Sequence, residues 1–583
     1  MRSEHLTDKD IIAKNYPEYS NKNYPVGPII MDRYNKLYFD ASEKHVEVVG
    51  STGMGKTQAV VLPLTKMSCD RKESFIIADS KSGEIYKKTA KYTKNHNLKC
   101  INFCELEYSN DCWNPLKSIA ELYKTGNIVN KKIACEMLHN LSESINSPDP
   151  KDPFWPNASA ELFEGITLAL IELAGSDSEI NISSICKMME VLPRKFTFKN
   201  YAEELVNVLP EDSVARKHLQ TYSNAPNDTR GSIHSVASNS LRIFYQNELL
   251  TKVLSKDTID INSLDIDEKP LAFYIILPDD TDAYSALAAV LINQITSHFI
   301  RLADVKYDGR LPHRLHIILE ELSTVSKSIS NLPMLMAKSR SRNIRMYLFI
   351  QSLSQITDVY GPNKTDAIND CIGLTYCFSV NNWDTLVEWE RKCGEKIVKH
   401  GSQTSREPLV TAAEIHNMPC MMALVMTDKY KFFQKFRYFE EAFDLSDWEP
   451  PKKIYNPVCD TVIKTFDLES YIINPKRSRT VNSVSIRKEN IDDEEKWAEE
   501  DLDIPIEKPK DEFRRYLVVE DLNGCSADKA IKIIKKYTYL SPKEIYEGLQ
   551  NLPFKIEFFE VSKLFSCFKE LADIRCKLSI SRR

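Results

Sequence analysis

The 583-residue chain has a net charge of −6 and a sequence pI of about 6.1. Hydrophobic residues make up 42% and charged residues 27%, which is typical of a globular protein with a real core. The acidic balance argues against a protein that simply coats nucleic acid, although a local basic lining remains compatible with it. At roughly 150 residues per domain, the length predicts three or four domains.

Residues 1–28 are polar, contain Pro17, Pro25 and Pro28, and predict an N-terminal arm. They form neither a signal peptide nor a lipidation site. No stretch reaches the ~18 uninterrupted apolar residues that a membrane helix needs. We therefore expect a cytoplasmic protein with no transmembrane segment, which reaches the inner face of the cell membrane only through a partner. The 14 cysteines form no CxxC pair, so we expect buried free thiols rather than metal ligands.

Short apolar segments alternate with helical patterns over residues 29–111 and 251–448, and this alternation predicts an α/β domain with a parallel sheet. A helix is expected between residues 283 and 303. The strand candidates are VEVVG (46–50), SFIIAD (74–79), LKCINF (98–103), LAFYIIL (271–277), HRLHIIL (313–319), RMYLFIQ (345–351) and GLTYCFSV (373–380).

The character of the chain changes between and after these two parts. Strand signals vanish over 112–250, where amphipathic patterns predict an all-helical insertion domain. Residues 449–512 are rich in proline and then strongly acidic, including DDEEKWAEED, so we expect a linker that cannot fold alone. Residues 513–583 alternate strand and helix again and predict a small α+β module.

The strongest motif is a complete G-x-x-x-x-G-K-[ST] run that follows the first strand candidate and precedes a helical pattern broken only by Pro63. Its glycines permit close approach to phosphate, and successive N–H groups then converge on the β-phosphate at a helix N-terminus. The lysine is expected to reach the β- and γ-phosphates of ATP, and the threonine hydroxyl to bind Mg²⁺. The alternative is a chance glycine-rich turn. The predicted nucleotide-binding residues are Gly50, Ser51, Thr52, Gly53, Met54, Gly55, Lys56 and Thr57.

A phosphate loop needs acidic partners at the end of a neighbouring strand. LHIIL (315–319) is followed by Glu320 and Glu321. We expect Glu320 to position Mg²⁺ and Glu321 to polarise the attacking water as a general base. Many motors have aspartate at the first position, and the longer Glu320 leaves the metal geometry less determined. The alternative is a solvated strand end.

Three more polar side chains complete the predicted catalytic set. Gln351 ends a strand and is expected to sense the γ-phosphate or orient water. Arg340 and Arg342 precede that strand, and an arginine reaching into a neighbouring subunit would stabilise transition-state charge. The alternatives for the arginines are ordinary surface charge or contact with a DNA backbone. The segment DSKSGE (79–84) also follows a strand. Its charged residues and glycine would line the nucleotide site or a subunit boundary. The alternative is a solvated turn followed by a helix cap.

Several motifs in this order resemble the conjugative coupling proteins, the TraG/TraD-type ATPases of type IV secretion, over about residues 29–448. The segment DSKSGE is similar to the D-P-K-G-E motif of that family, with Ser80 in place of proline. The helix FWPNASAELFEGITLALIE is similar to the family's helical insertion, and LAFYIILPDD to its F-x-I-I-P-D strand. The strand end QSLSQ (351–355) is particularly characteristic.

The resemblance implies a RecA-like motor domain with a helical domain, assembled as a homo-hexamer that binds ATP between subunits and works on DNA, single-stranded and without sequence preference. It also implies relaxosome or secretion-channel proteins as partners. Family members usually carry N-terminal membrane helices; since none is expected here, a separate membrane-anchor subunit is the implied partner.

The tail resembles the C-terminal domain of the bacterial ribosomal stalk protein over about residues 513–581. The likeness lies in IKIIKK (531–536) and in LSPKEIYEGLQNLPFKI, although the family's Gly-Leu-Gly-Leu is absent. In the stalk protein this module binds other proteins. The lysines of the tail therefore indicate either a protein-binding face or a solubilising surface.

Three functions remain open at this stage. The first is a DNA-translocating ATPase in conjugative type IV transfer. The second is a recruitment protein that uses ATP as a switch and delivers protein substrates to a secretion channel. The third is a non-hydrolysing scaffold, against which the complete Lys56, Thr57 and Glu321 set argues.

Overall fold

The structure is a computed structural model, and the part of the chain that it describes forms two compact units, Met1–Arg487 and Lys488–Arg583. In the first unit it describes residues 5–146, 152–196, 199–322, 329, 331–400, 403–445 and 451–473. In the second it describes residues 515–522, 527–538, 540, 545–546, 549, 554–558, 567, 571 and 577–582. The acidic segment 489–502 of the predicted linker lies outside the described residues.

Strands occur along most of the described chain. They are β1 (Ile29–Arg33), β2 (Lys36–Phe39), β3 (His45–Val49), β4 (Ser74–Asp79), β5 (Asn97–Asn102), β6 (Lys195–Phe196), β7 (Lys199–Asn200), β8 (Leu271–Ile276), β9 (Leu315–Leu319), β10 (Ile344–Ile350), β11 (Ile372–Cys377), β12 (Glu395–His400), β13 (Gln403–Pro408), β14 (Met422–Thr427), β15 (Lys431–Lys435), β16 (Arg515–Asp521), β17 (Phe554–Phe558) and β18 (Lys577–Arg582).

A nine-stranded sheet organises the first unit, in the order β15-β14-β11-β3-β10-β9-β4-β8-β5. The strands from β11 to β5 run parallel, whereas β14 and β15 are antiparallel and form one edge. Each of the seven strand candidates from the sequence is a strand of the parallel part. Parallel sheets are covered on both faces, which explains their nearly continuous apolar runs.

Alternate residues of the central strands face two separate apolar cores. Ile317 and Leu348 point into the larger core, which most of the helices share, while Ile318 and Phe349 point into the core on the other face. All four are at most 1% exposed. The sheet is therefore fixed from both sides, which gives a rigid base to the loops at its carboxyl edge.

Helices make up most of the remaining regular structure of the two units. They are α1 (Lys9–Asn15), α2 (Leu62–Arg71), α3 (Glu84–Thr89), α4 (Lys117–Lys124), α5 (Ile128–Ile145), α6 (Phe154–Leu173), α7 (Ile182–Val191), α8 (Tyr201–Val208), α9 (Val214–Ser223), α10 (Asn227–Ser240), α11 (Arg242–Gln246), α12 (Glu248–Val253), α13 (Ser285–Lys306), α14 (Leu332–Ser339), α15 (Ser354–Asn369), α16 (Trp383–Cys393), α17 (Ala412–His416), α18 (Phe439–Ala442), α19 (Leu468–Ile473) and α20 (Ala527–Tyr537).

The predicted insertion between β5 and β8 consists of α4 to α12, with one short exception. Strands β6 and β7 form a two-stranded pair there, so the insertion is not purely helical as the sequence suggested. Its apolar core is continuous with the core on one face of the sheet. The insertion therefore belongs to the same compact unit as the sheet.

The N-terminal arm lies against the sheet domain. Ile12 of α1 and Val26 are fully buried, and the Thr7 N–H donates to Lys431 O of the edge strand β15 at 2.7 Å. The arm leads into the hairpin β1–β2, which ends at Asp40. That carboxylate receives a 2.6 Å bond from Arg345, a buried ion pair at the amino end of β10.

The first part of the predicted linker is folded, which corrects the expectation for residues 451–473. Phe466, Leu468 and Ile472 are at most 8% exposed. The segment is also held to the helical insertion by the bond from Asn181 Nδ2 to Lys464 O, at 2.9 Å. The proline-rich composition concealed these few apolar side chains, which are buried against another domain rather than in a core of their own.

The second unit contains strands β16, β17 and β18 and the helix α20. The strands form an antiparallel sheet in the order β17-β16-β18. Leu517 and Val519 of the central strand pack with Ile534 of α20 in a small separate core. The described elements agree with the predicted α+β module, and much of its second and third helices lies outside the described residues. The likeness to the ribosomal stalk domain stays a prediction.

One helix of the described residues, α13, is long and apolar enough to cross a membrane. The most apolar part of it is 72% buried within the protein. It packs between the sheet and the helical insertion as a core helix.

Candidate nucleotide-binding and catalytic site

The predicted site residues, apart from the two arginines, lie at the carboxyl edge of the parallel strands. Residues 50–57 follow β3, Glu320 and Glu321 follow β9, and Gln351 follows β10. Because β10 lies between β3 and β9, the three loops are neighbours in space. Together they line one cavity with Lys81, which follows β4. Ligand sites of open parallel sheets lie at this edge.

The phosphate loop is anchored through its first residues and bent by its glycines. The Gly50 N–H donates to Ile350 O at 3.1 Å, and the Ser51 N–H donates to Ser379 O at 2.9 Å. Gly53 and Gly55 have φ values of +81° and +95°, which residues other than glycine rarely adopt. The chain then enters a π-helical turn, Thr57–Val61, that continues directly into α2. Pro63 does not end the helix, since the helical backbone continues from the π-helical turn through Pro63 to Arg71.

The two left-handed glycines provide a matched pair of substitutions. A Cβ on Gly55 would collide with Met421, whereas a Cβ on Gly53 would meet open space. We expect Gly53→Ala to cost only the backbone strain, about 1–2 kcal/mol. Gly55→Ala adds a steric clash and is expected to displace the loop and weaken ATP binding far more. Calorimetric titration of both variants with ATP and Mg²⁺ measures the difference, and equal affinities would contradict it.

Thr57 and Glu320 meet directly, although they are 263 positions apart in the chain. The Thr57 hydroxyl donates to Glu320 Oε1 at 2.5 Å. The Lys81 ammonium donates to the same hydroxyl at 2.7 Å and to the same carboxylate oxygen at 2.9 Å. Two oxygens therefore converge on one cation position, which the Lys81 ammonium occupies.

The donor set at this position fits Mg²⁺. Oxygen ligands from one or two protein groups plus phosphates are what this ion prefers. Glu320 is 2% exposed, and its Oε2 atom is buried without a hydrogen-bond partner among the described residues. A buried carboxylate oxygen left in this state is costly, and a cation next to Thr57 and Glu320 would satisfy it.

Glu321 is held in an uncommon conformation beside Gln351. Its φ is +60°, in the left-handed region that non-glycine residues adopt at a cost of order 1–3 kcal/mol, and such residues cluster at functional sites. The Gln351 amide Nε2 donates to Glu321 Oε1. The Gln351 N–H in turn donates to Gln355 Oε1 at 2.8 Å. The strand end QSLSQ thus fixes the amide that orients Glu321.

The Lys56 side chain is partly buried beside the phosphate loop, and no carboxylate contacts its ammonium among the described residues. Its ammonium donates to Gly50 O. Burial lowers the pKa of Lys56 to about 8, and the nearby positive charge of Lys81 adds to this effect. A negatively charged ligand in the loop would raise the pKa of Lys56 again, because it places the opposite charge next to the ammonium.

The segment DSKSGE contributes both a helix cap and a site residue. Asp79 is fully buried and accepts bonds from the Ile85 and Tyr86 N–H groups of α3, at 2.9 and 3.1 Å. Burial raises the pKa of Asp79 to about 7, with the Glu320 charge as the next cause. The segment is therefore not a solvated turn, and Lys81 points from it into the cavity.

The two arginines lie away from this cavity. Arg340 and Arg342 form a 3-10 turn before β10, at the amino end of the sheet. Arg342 makes a paired contact with Asp304, at 2.8 and 2.9 Å, whereas Arg340 is exposed and has no ion pair among the described residues. Within one subunit neither arginine reaches the phosphate loop, so an action in trans stays a prediction.

The sequence did not predict two further residues that line the cavity, Cys420 and Tyr438. They flank the antiparallel strands β14 and β15, which the sequence did not predict either. Both are exposed, and Cys420 is an exception among largely buried or half-buried thiols. Their exposure is a property of the fold, and no sequence motif marks either residue.

The sequence profile of the family described as type IV secretory system conjugative DNA transfer matches residues 3–456. The chain belongs to this family. The match covers the phosphate loop, the two glutamates, Gln351 and the helical insertion, so the predicted resemblance to conjugative coupling proteins is confirmed. Comparison with curated protein sequences gives no match.

Solved structures of conjugative coupling proteins share the fold. The bacterial conjugative coupling protein TrwBdeltaN70, in its unbound form, is 17% identical with a TM-score of 0.56, over 76% of this chain and 95% of that one. The plasmid coupling protein TrwB with a non-hydrolysable ATP analogue is 16% identical with a TM-score of 0.56, over 75% and 94%. TrwB with ADP and Mg²⁺ is 16% identical with a TM-score of 0.54, over 79% and 96%. This likeness confirms the predicted fold class, a RecA-like α/β motor domain with a helical domain.

Proposed function

We propose that this protein is an ATP-hydrolysing coupling-protein motor that recruits and translocates DNA, or a DNA–protein complex, in conjugative type IV transfer. The observation that carries the proposal is the meeting of Thr57 with Glu320, and of Glu321 with Gln351, beside the phosphate loop. Membership of the conjugative DNA transfer family supports the biological role. The relatives' structures with an ATP analogue and with ADP and Mg²⁺ support ATP as substrate and Mg²⁺ as cofactor.

Each residue has a role that its position favours. Mg²⁺, held by Thr57 and Glu320, would neutralise charge on the β- and γ-phosphates. The loop N–H groups and the Lys56 ammonium bind the phosphates as charge develops on them. Glu321, oriented by Gln351, takes a proton from the attacking water as general base. The Lys81 ammonium contacts both Thr57 and Glu320, so a metal ion held there would displace it and leave it available to a phosphate oxygen.

The oligomeric state, the DNA contacts and the protein partners are proposed on the same basis. A homo-hexamer with ATP between subunits allows an arginine to act in trans, and Arg340, which has no ion pair within the described residues, fits that role better than Arg342, which Asp304 already holds. DNA contacts would fall mainly on phosphates and so be independent of sequence. Relaxosome or secretion-channel proteins are the expected protein partners. We also propose a cytoplasmic location, with a partner protein holding the chain at the inner face of the membrane.

The test is ATP turnover of the full chain with and without DNA. We expect single-stranded DNA of two unrelated sequences to raise turnover equally. Because phosphate contacts release counterions, the DNA concentration that gives half-maximal stimulation should rise steeply between about 50 and 200 mM salt. An ATP turnover rate that is the same with and without DNA, together with no DNA binding at low salt, would refute the proposed DNA-translocating function. Sizing the protein with bound nucleotide tests the hexamer.

The separate tail unit favours a second candidate function, an ATP-switched recruitment protein that delivers protein substrates to a secretion channel. The unit has its own core, and its helix α20 exposes Lys529, Lys532 and Lys535. Deletion of residues 488–583 is then expected to abolish binding of a secretion partner while ATP turnover stays at the full-chain rate. Partner binding that survives the deletion would exclude this role for the tail.

A further inference from the structure

The cavity has two ends that come from opposite sides of β3. Glu320, Gln351 and Lys81 follow β9, β10 and β4, which lie on one side of β3 in the sheet. Cys420 and Tyr438 lie next to β14 and β15, on the other side. The metal and the water-activating groups therefore belong to one end, and a thiol and an aromatic ring to the other.

The second end is tied to the phosphate loop by direct contacts. Cys420 Sγ donates to Gly53 O at 3.3 Å, and the Met421 N–H donates to Met54 O at 3.2 Å. Next to Tyr438, the Phe439 N–H donates to the side-chain oxygen of Gln58 at 3.3 Å. Because Gln58 directly follows Thr57, Tyr438 is fixed relative to the turn where the phosphate loop becomes a helix.

The backbone of Tyr438 is held firmly while its ring stays open. Before it, Arg437 donates to Asp32 Oδ2 at 2.8 Å. After it, Phe439 is 1% exposed in the apolar core. The Tyr438 N–H donates to Glu441 Oε2 at 3.1 Å. The side chain of Tyr438 is nevertheless 47% exposed at the rim of the cavity. Core packing does not explain an aromatic ring that is held in this way and left open.

We propose that the Tyr438 ring is the stacking platform for the base of the bound nucleoside triphosphate. This inference rests on the proposed ATP-binding function. The γ-phosphate end of the ligand belongs beside Glu320 and Glu321, since Lys56 and Thr57 address the outer phosphates and the metal. The α-phosphate, ribose and base then extend toward the opposite end, past Gln58, where Tyr438 lies. Stacking uses the face that every base has, so the ring accepts adenine and guanine alike.

The experiment compares nucleotides with the bare phosphate chain. Calorimetric titration of the full chain in Mg²⁺ uses ATP, GTP and inorganic tripolyphosphate. Tyr438→Ala is expected to weaken ATP and GTP by about tenfold each, the usual scale for a lost base–aromatic stack, and to leave tripolyphosphate unchanged. Tyr438→Phe keeps the ring and is expected to bind all three like wild type. Tyr24→Ala is the matched control, since Tyr24 is 48% exposed and lies outside the cavity.

The outcomes separate this inference from the proposed function. If the wild-type protein binds neither ATP nor tripolyphosphate, the ATP-binding function fails and the platform fails with it. If wild type binds ATP no more tightly than tripolyphosphate, or if Tyr438→Ala weakens both ligands equally, the phosphate site stands and the stacking platform is overturned. The wild-type comparison decides the matter even if the alanine variant does not fold.

Discussion

Replacing Lys56 with alanine is expected to reduce ATP turnover by at least about 100-fold, because the phosphate loop loses its own ammonium, which binds the outer phosphates as charge develops on them. The fold should survive the change. Lys56 donates to Gly50 O in the absence of ligand, and its partial burial lowers its pKa, so its charge costs stability rather than adding to it. Turnover measured by phosphate release, and unfolding followed by circular dichroism, check the two parts.

The matched control is Lys66→Ala, since Lys66 lies on α2, beyond the phosphate loop, and pairs with Asp70 on the helix surface. It should leave turnover unchanged. A pH series adds a second readout. The free protein holds Lys56 with a pKa of about 8, and phosphate binding favours its charged form. ATP affinity of the wild type should therefore fall as the pH rises through 8, and Lys56→Ala should lack this dependence. A variant with wild-type turnover would contradict the phosphate-loop assignment.

The central sheet was predictable because its signals are local. Strands β4 (SFIIAD) and β9 (LHIIL) are short, largely apolar runs, and each is followed by charged residues that line the site, namely Lys81 after β4 and Glu320 and Glu321 after β9. A buried parallel strand needs apolar side chains on both faces, so its sequence alone identifies it. The carboxyl edge then follows from the direction of the chain, and this is why Thr57, Glu320 and Gln351 could be grouped before their contacts were known.

The other side of the site was not predictable in the same way. Strand β15 reads KFFQK, with lysines at both ends, and charged ends are how edge strands avoid pairing with other chains. The apolar pattern of β15 is therefore weak, and Tyr438 had no motif to mark it. The folding of residues 451–473 was not predicted for a related reason. Phe466 and Ile472 are buried against another part of the same chain rather than in a core of their own.

Contacts between side chains that are distant in the sequence determine the roles that no motif or apolar pattern predicts. Nothing in the sequence distinguishes Arg340 from Arg342, but the side chain of Asp304 on α13 pairs only with Arg342. The sequence likewise left DSKSGE open between a cap and a site lining. The structure assigns Asp79 to the cap and Lys81 to the cavity, because Asp79 is the last residue of β4 whereas Lys81 lies in the turn that follows it.

Glu321→Gln is expected to lower the rate of ATP hydrolysis by about 100- to 10,000-fold, which is the usual contribution of a general base, while ATP affinity stays near the wild-type value. The amide has the shape of the carboxylate but cannot accept a proton from water. Gln351→Ala should have a smaller effect, because it removes only the group that donates to Glu321 Oε1. Single-turnover hydrolysis, with ATP affinity measured by titration, separates chemistry from binding.

The double variant Glu321→Gln, Gln351→Ala tests whether the two side chains act as one unit. If Gln351 acts only by orienting Glu321, the double variant should be no slower than Glu321→Gln alone, since a residue without its base has nothing left to position. Glu84→Gln is the control, because Glu84 lines the same cavity but pairs with Lys88 along α3. It should hydrolyse ATP at the wild-type rate. Additive losses in the double variant would give Gln351 a separate role, such as direct contact with the γ-phosphate.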